Sequence, residues 1–112
     1  MVCSNKDVLL QTVNGHTSRK ILSHSENLMA VEVRFKGPSD DPNIHEHAHE
    51  QIAYVVKGRF EFIVKNEKYL LETGDTIYFE PHTPHGALLL DDEGILLDIF
   101  TPRRDDFITN QL

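Results

Sequence analysis

Histidines at alternate positions are the feature of this sequence that most clearly predicts chemistry. In "HEHAHEQIAYVVKG" (45–58), His45, His47 and His49 are followed by Gln51 at the same spacing. Residues two apart in an extended chain point the same way, so His45, His47 and Gln51 are predicted to face one side. Imidazole nitrogens and an amide oxygen that converge suit a first-row divalent metal ion. Strand twist should turn His49 away, to a supporting or surface position.

A further ligand has to come from another segment, and "EPHTPHG" (80–86) offers His85. Two prolines restrict that loop, whereas His82 is expected to face solvent. The alternative is a surface histidine tract without a shared role, since 7 of the 112 residues are histidines. The donor set leaves the metal open among nickel, zinc, iron and manganese. The predicted ligands are His45, His47, Gln51 and His85.

Asp98 is a carboxylate inside an otherwise apolar run, "ILLDIF" (95–100). It shares one strand face with Leu96 and Phe100. If that face points inward, burial raises the pKa of Asp98 toward a value useful for proton transfer. If the other face, with Ile95, Leu97 and Ile99, pointed inward, Asp98 would lie in water. We favour the arrangement in which Asp98 points inward.

Short β-like runs separated by turn residues make up most of the chain, and this pattern predicts an all-β sandwich or small barrel. Helix is expected only in the tail after Pro102. The core is expected at about 19–101 and the tail at 102–112, in one domain of 1–112. The predicted strands are 8–13, 28–36, 51–57, 59–65, 68–72, 76–79, 87–90 and 95–100.

Composition excludes several classes of protein. A net charge of −7 argues against a nucleic-acid partner. The single cysteine, Cys3, allows neither an internal disulfide nor a cysteine zinc site. No signal peptide or membrane-spanning run is visible, so a cytoplasmic protein is expected. Several strands are apolar on both faces and need cover on both sides, which favours a homodimer.

The two motifs together resemble those of the cupin family. "HEHAHEQIAYVVKG" resembles the first cupin motif, and "GDTIYFEPHTPHG" (74–86) resembles the second. The resemblance implies a single-domain jelly-roll β-barrel of two antiparallel sheets, with a metal in the barrel mouth and usually a dimer. Carried over by position, it implies the same four ligands: His45, His47, Gln51 and His85.

A narrower resemblance, to the KdgF group of cupins, rests on "RKILSHSENLMAVEVRF" (19–35) and "DIFTPRRDDF" (98–107). It implies an enzyme that linearises 4,5-unsaturated uronates, which are small anionic sugars, to 5-keto-4-deoxyuronate in pectin or alginate breakdown. By spacing, its catalytic residues would be Asp98, Phe100 and Arg104. Arg103 is the alternative partner for the substrate carboxylate.

Because cupins support many functions, other interpretations stay open. One is a metal-dependent dioxygenase acting on another small carbonyl compound, and another is a non-catalytic sugar-binding cupin. Gln51 bears on this choice, since a neutral ligand leaves the full charge of the metal for Lewis-acid chemistry. It therefore favours isomerase or lyase chemistry over oxygen chemistry.

Overall fold

The computed structural model describes residues 1–109, and these residues form two antiparallel sheets. A single 3-10 turn, Asn5–Asp7, precedes the first strand. The strands are β1 (Gln11–Thr12), β2 (Thr17–His24), β3 (Met29–Lys36), β4 (Glu50–Lys57), β5 (Phe60–Val64), β6 (Glu67–Leu71), β7 (Thr76–Phe79), β8 (His85–Leu89) and β9 (Glu93–Thr101). A short helix, α1 (Asp105–Thr109), closes the described chain.

The larger sheet has six strands in the order β1-β2-β3-β9-β4-β7, and the smaller has three in the order β6-β5-β8. From β4 onward the chain crosses between the sheets, as in a jelly roll: β5, β6 and β8 lie in the smaller sheet, whereas β7 and β9 lie in the larger, with β9 between β3 and β4. The expected fold class is therefore confirmed. The described strands form two facing sheets rather than one continuously hydrogen-bonded barrel.

The core lies between the two sheets. One cluster combines Ala53, Val55 and Leu96 of the larger sheet with Phe60 and Phe62 of the smaller. Alternation explains which side chains reach it, because each of these strands buries every second residue. A second cluster surrounds one end of the larger sheet and brings in the tail. It contains Ile21, Met29, Val31 and Phe100, with Phe107 and Ile108 packed against it.

Most predicted strands are present, with shifted ends. The turn expected at 66–67 lies one residue earlier, where Lys65 and Asn66 have φ values of 50° and 69°. This pair of positive φ angles suits the twist of a two-residue hairpin. Helix does occur in the tail after Pro102. Residues 110–112 of the expected tail lie outside the described residues.

Two predictions at the N-terminal end were wrong. The strand expected at 8–13 is reduced to Gln11–Thr12. Thr17–His24, which was not predicted, forms an eight-residue strand. Its sequence, "TSRKILSH", has few apolar residues, but β3 pairs with it from Thr17 to His24 and supplies the hydrogen bonds that hold it. Pairing to a neighbour has here overridden weak local propensity.

No helix in the described range is long and apolar enough to cross a membrane.

Candidate metal and acid–base site

The segment that carries the first two histidines precedes the strand. β4 begins at Glu50, one residue before the predicted start, and residues 46–49 are irregular, with bends at 48 and 49. Ligand atoms of His45 and His47 approach each other, as the spacing predicted, and the bends lie between this pair and β4. Gln51 lies inward on β4 in phase with Ala53 and Val55.

His85 is brought to the same place by backbone pairing. His45 and His85 form an isolated antiparallel bridge, and each backbone N–H donates to the carbonyl oxygen of the other at 2.9 Å. The next residue, Gly86, permits this approach, because a Cβ there would collide with the carbonyl oxygen of Pro42. His85 itself is 4% exposed and stacks on Phe79, with ring centroids 4.1 Å apart.

The three histidines share one hydrogen-bonding arrangement. Nδ1 of His45 lies 2.7 Å from the carbonyl oxygen of Asn43. Nδ1 of His47 lies 2.9 Å from that of His49, and Nδ1 of His85 lies 2.7 Å from that of Thr83. A carbonyl oxygen can only accept, so each Nδ1 carries the proton and each neutral ring keeps its lone pair on Nε2. This is how metal-binding histidines are usually oriented.

The geometry of the triad fits a divalent cation. Ligand atoms of His45, His47 and His85 all lie within 4.8 Å of one another. Nε2 of His85 is buried and has no hydrogen-bond partner among the described residues. An unpaired buried nitrogen is costly, and a metal ion would satisfy it. Burial lowers the pKa of His85 to about 4 and also lowers the pKa of His47, so both rings are neutral at pH 7.

Gln51 lies between the triad and Asp98. Its Oε1 is 3.0 Å from Nε2 of His47. Hydrogen bonding from the Gln51 side chain also lowers the pKa of Asp98. In the sheet Gln51 is paired with Phe79 on one side and Phe100 on the other, and this pairing holds the amide at the floor of the site.

Asp98 faces inward on β9, as predicted from the sequence. Along β9, Leu96, Asp98 and Phe100 are buried, whereas the alternate residues are only partly buried. Burial raises the pKa of Asp98 to about 7, against the smaller lowering effects of Gln51 and Arg104. Its Oδ1 is buried without a hydrogen-bond partner in the described chain. A carboxyl group with this pKa can both accept and donate a proton near neutrality.

Phe100 and Arg104 lie on one side of the triad. The Phe100 ring meets His47 edge to face, with centroids 5.6 Å apart. Cζ of Arg104 is 5.2 Å from the centroid of Phe100. The guanidinium of Arg104 binds Asp106 through two bonds, from Nε at 3.1 Å and from Nη2 at 2.9 Å. One edge of Arg104 is therefore already occupied by a carboxylate. Arg103, the alternative, pairs with Asp105 and does not line the cavity that Arg104 lines.

His49 and His82, which the sequence analysis did not count as ligands, take supporting or surface positions. His49 contributes its carbonyl oxygen to His47, and its ring lies beside those of His47 and Phe100. The side chain of His82 is exposed, while its backbone N–H donates to the carbonyl oxygen of His47 at 2.7 Å. Neither belongs to the group of side chains that could hold a cation.

Sequence reasoning missed Arg19 and Phe107. Both line the same cavity, of about 530 Å³, as His45, Gln51 and Asp98. This volume is in the range of small-molecule sites. Arg19 was missed because β2 was not recognised as a strand. Phe107 was missed because the tail carried no sign that it folds back over the cavity.

Comparisons with known proteins show the family to which the chain belongs. The family model described as "Cupin domain" matches residues 31–100. "Pectin degradation protein KdgF" of Dickeya dadantii is 42% identical over 91 residues, which cover 80% of this chain and 82% of the relative. The structure of KdgF from Halomonas sp. superimposes with a TM-score of 0.90 at 39% identity, over 96% of this chain and 97% of that one.

A second solved structure extends the match. An RmlC-like cupin from Shewanella frigidimarina has a TM-score of 0.84 at 33% identity, over 96% of this chain and 99% of that one. The family model spans both histidine motifs and Asp98, and the structural matches span nearly the whole chain. The chain therefore belongs to the cupin family and is a relative of the pectin degradation protein KdgF.

Proposed function

We propose that this protein is a metal-dependent cupin enzyme that linearises 4,5-unsaturated uronates to 5-keto-4-deoxyuronate. One observation carries the proposal: burial raises the pKa of Asp98, which is 9% exposed, to about 7, and Asp98 lies beside Gln51, which contacts His47 of the histidine triad. The similarity to a pectin degradation protein supports a sugar acid as the substrate class.

The residues proposed to hold the metal are His45, His47, Gln51 and His85. A divalent ion bound there supplies Lewis acidity toward substrate oxygens. Three neutral imidazoles and a neutral amide leave its charge uncompensated by the protein, which suits isomerase or lyase chemistry. The unpaired Nε2 of His85 and the Nδ1–carbonyl bonds of all three histidines support this assignment.

Asp98 is proposed to move the proton in the reaction. As carboxylate, it takes the proton of the anomeric hydroxyl group, so that C1=O forms and the ring C1–O bond breaks. The electron pair remains on the former ring oxygen, next to the C4=C5 bond. Protonation at C4, from Asp98, gives the ketone at C5. The reaction is an isomerisation, so no other reactant is consumed, and Asp98 returns to its starting state.

Arg104 and Phe100 are proposed to position the sugar. Asp106 occupies Nε and one hydrogen of Nη2, so the remaining N–H groups of Arg104 can donate to the substrate carboxylate. Phe100 is 2% exposed and fixes the wall between Arg104 and His47. Arg104 also favours the ionised form of Asp98 by its charge.

The direct test mixes the purified protein with an unsaturated uronate and follows the absorbance of the conjugated C4=C5 bond, with and without chelator. Metal-dependent loss of absorbance supports the proposal. Oxygen uptake with iron and another carbonyl substrate, without loss of this absorbance, would instead favour a dioxygenase. Saturable binding of the sugar with no turnover would indicate a non-catalytic sugar-binding cupin.

We also propose that the protein is a homodimer formed through the outer face of the larger sheet. Ile52, Tyr54 and Val56 on β4 are 45%, 40% and 43% exposed, and Tyr78 on β7 is 51% exposed. Ile52 and Tyr54 are paired with Ile99 and Leu97 of β9, so this apolar surface is continuous across strands. A second copy of the same face would bury it.

A further inference from the structure

Arg19 is a cation in the wall of the cavity that none of the proposed steps uses. It lies in β2, paired with Gln11 of β1 and Val33 of β3. Its side chain is partly buried and lines the cavity of about 530 Å³ that also contains His45, Asp98 and Arg104. A charged group half removed from water in a ligand-sized cavity needs a compensating partner.

The tail holds Arg19 and Arg104 in a fixed relationship. Cζ of Arg19 lies 3.7 Å from the centroid of the Phe107 ring, and Cζ of Arg104 lies 4.2 Å from it. Two guanidinium groups this close to one ring cannot share a face, so they cover its opposite faces. Phe107 thus separates two like charges and attracts both through its π faces.

The charges of the two arginines are balanced differently. Arg104 is bound through two hydrogen bonds by the carboxylate of Asp106. Arg19 instead donates Nε–H to Oε1 of the neutral Gln11 at 2.8 Å. Within residues 1–109, the ion pairs of the structure include Arg104 but not Arg19. Asp106 attracts Arg19 by its charge as well, but it hydrogen-bonds only Arg104, so among the described residues the side-chain hydrogen bond of Arg19 goes to a neutral amide and not to a carboxylate.

The hydrogen bond to Gln11 also fixes which donors remain. It uses Nε, so the two terminal nitrogens of Arg19 keep four N–H groups in the planar arrangement that matches a carboxylate. Besides Arg19 and Arg104, Lys36 lines the cavity, but its side chain is exposed. Among the described residues, Arg19 is therefore the better-placed cation for an anionic ligand.

We propose that Arg19 is a further specificity-determining residue, which binds the substrate carboxylate and selects an acidic sugar over a neutral one. This inference rests on the proposed function for its substrate class. Arg104 keeps its proposed hydrogen bonds to the same carboxylate, and Arg19 adds a second cation that helps to distinguish an acid from its ester.

Binding of D-galacturonate and of its methyl ester to the protein as purified tests this directly. Both lack the C4=C5 bond, so calorimetric titration measures binding without turnover. The wild type should bind the acid about tenfold or more tightly than the ester, the range of a charge-assisted hydrogen bond. In Arg19→Gln this preference should fall several-fold, because only Arg104 still binds the carboxylate, while affinity for the ester changes little.

Arg34→Gln is the matched control. It removes one arginine from β3, and Arg34 pairs with Glu32 at the surface and does not line this cavity. It should keep the preference of the wild type. Since Arg19 also packs on Phe107, thermal unfolding should be measured for each variant, and Arg19→Lys, which keeps the charge, should restore part of the preference.

The outcomes separate this inference from the proposed function. An Arg19→Gln protein that still prefers the acid as strongly as the wild type overturns the role of Arg19, even if unsaturated uronates are turned over. If Arg19→Gln weakened binding of the acid and of the ester equally, Arg19 would act only by packing, and this result would also overturn its role in selecting an acid. A preference for the acid that falls several-fold in Arg19→Gln supports it, even if the protein turns over no unsaturated uronate and the proposed reaction fails.

Discussion

Oε1 of Gln51 lies 3.0 Å from Nε2 of His47, and both atoms are hydrogen-bond acceptors in the neutral state of the site. Nδ1 of His47 carries its proton toward the carbonyl oxygen of His49, so Nε2 has a lone pair and no hydrogen. Two acceptors that face each other repel unless a proton or a cation lies between them. The contact therefore supports a cation held jointly by the ring and the amide.

The first prediction concerns Gln51. Gln51→Ala should lower affinity for a divalent metal by about tenfold or more, because it removes one oxygen donor. Fold should be retained, since the change leaves Ala53 and Val55 in place on the same strand. Metal content after equilibrium dialysis, with circular dichroism as the check on fold, measures this. Unchanged metal content would show that Gln51 is not a ligand.

Substitution of His85 should lower metal affinity more than substitution of Gln51, because His85 is the most buried member of the triad. His85→Ala should leave little metal bound after dialysis. His24→Ala is the matched control, since His24 is exposed at the end of β2. If the two variants retained equal amounts of metal, the histidine triad would not be the binding site.

Asp98→Asn should lose about 10²- to 10⁴-fold in turnover of unsaturated uronates, the usual contribution of a positioned acid or base. The amide has nearly the same shape but cannot take up the proton. Metal content should stay close to that of the wild type, because Asp98 is not a member of the triad. Full activity of this variant would remove Asp98 from the mechanism.

The same substitution should stabilise the metal-free protein at high pH. The pKa of Asp98 is about 7 in the fold, against an ordinary value of 3.8. Well below pH 3.8 the carboxyl is protonated in both the folded and unfolded states, so its ionisation costs nothing. Between these values only the unfolded state ionises, and the folded state loses stability as pH rises. Above pH 7 the cost is constant, at most about 4 kcal/mol.

Asp98→Asn should therefore unfold at a higher urea concentration than the wild type at pH 8, when both are treated with chelator. The advantage should shrink toward zero near pH 4. A difference of the same size at both pH values would mean that burial does not shift the ionisation of Asp98.

Tyr54 and Tyr69 give a matched test of the dimer. They are 40% and 44% exposed, but Tyr54 lies on the outer face of the larger sheet and Tyr69 on β6 of the smaller. Tyr54→Lys should shift the protein from dimer to monomer in light scattering, because it places a charge in the proposed apolar interface. Tyr69→Lys should have no effect. A monomeric wild type would contradict the proposal.

The sequence by itself determined where several strands lie, which face of each strand is buried, and which side chains could bind a metal ion. Period-two alternation located β3, β4 and β9 and gave the correct inward face of Asp98, because side-chain direction in a strand is a local property. Motif spacing likewise selected His45, His47 and His85, which the fold brings together.

Tertiary structure decided what depends on contacts distant in sequence. The bends at 48 and 49 separate His45 and His47 from the start of β4, and the His45–His85 bridge joins two segments that lie 40 positions apart. Strand β2 exists because β3 pairs with it, and so Arg19 reaches the cavity. The cover provided by Phe107 could not be read from the tail, because cation–π contacts with Arg19 and Arg104 have no local pattern.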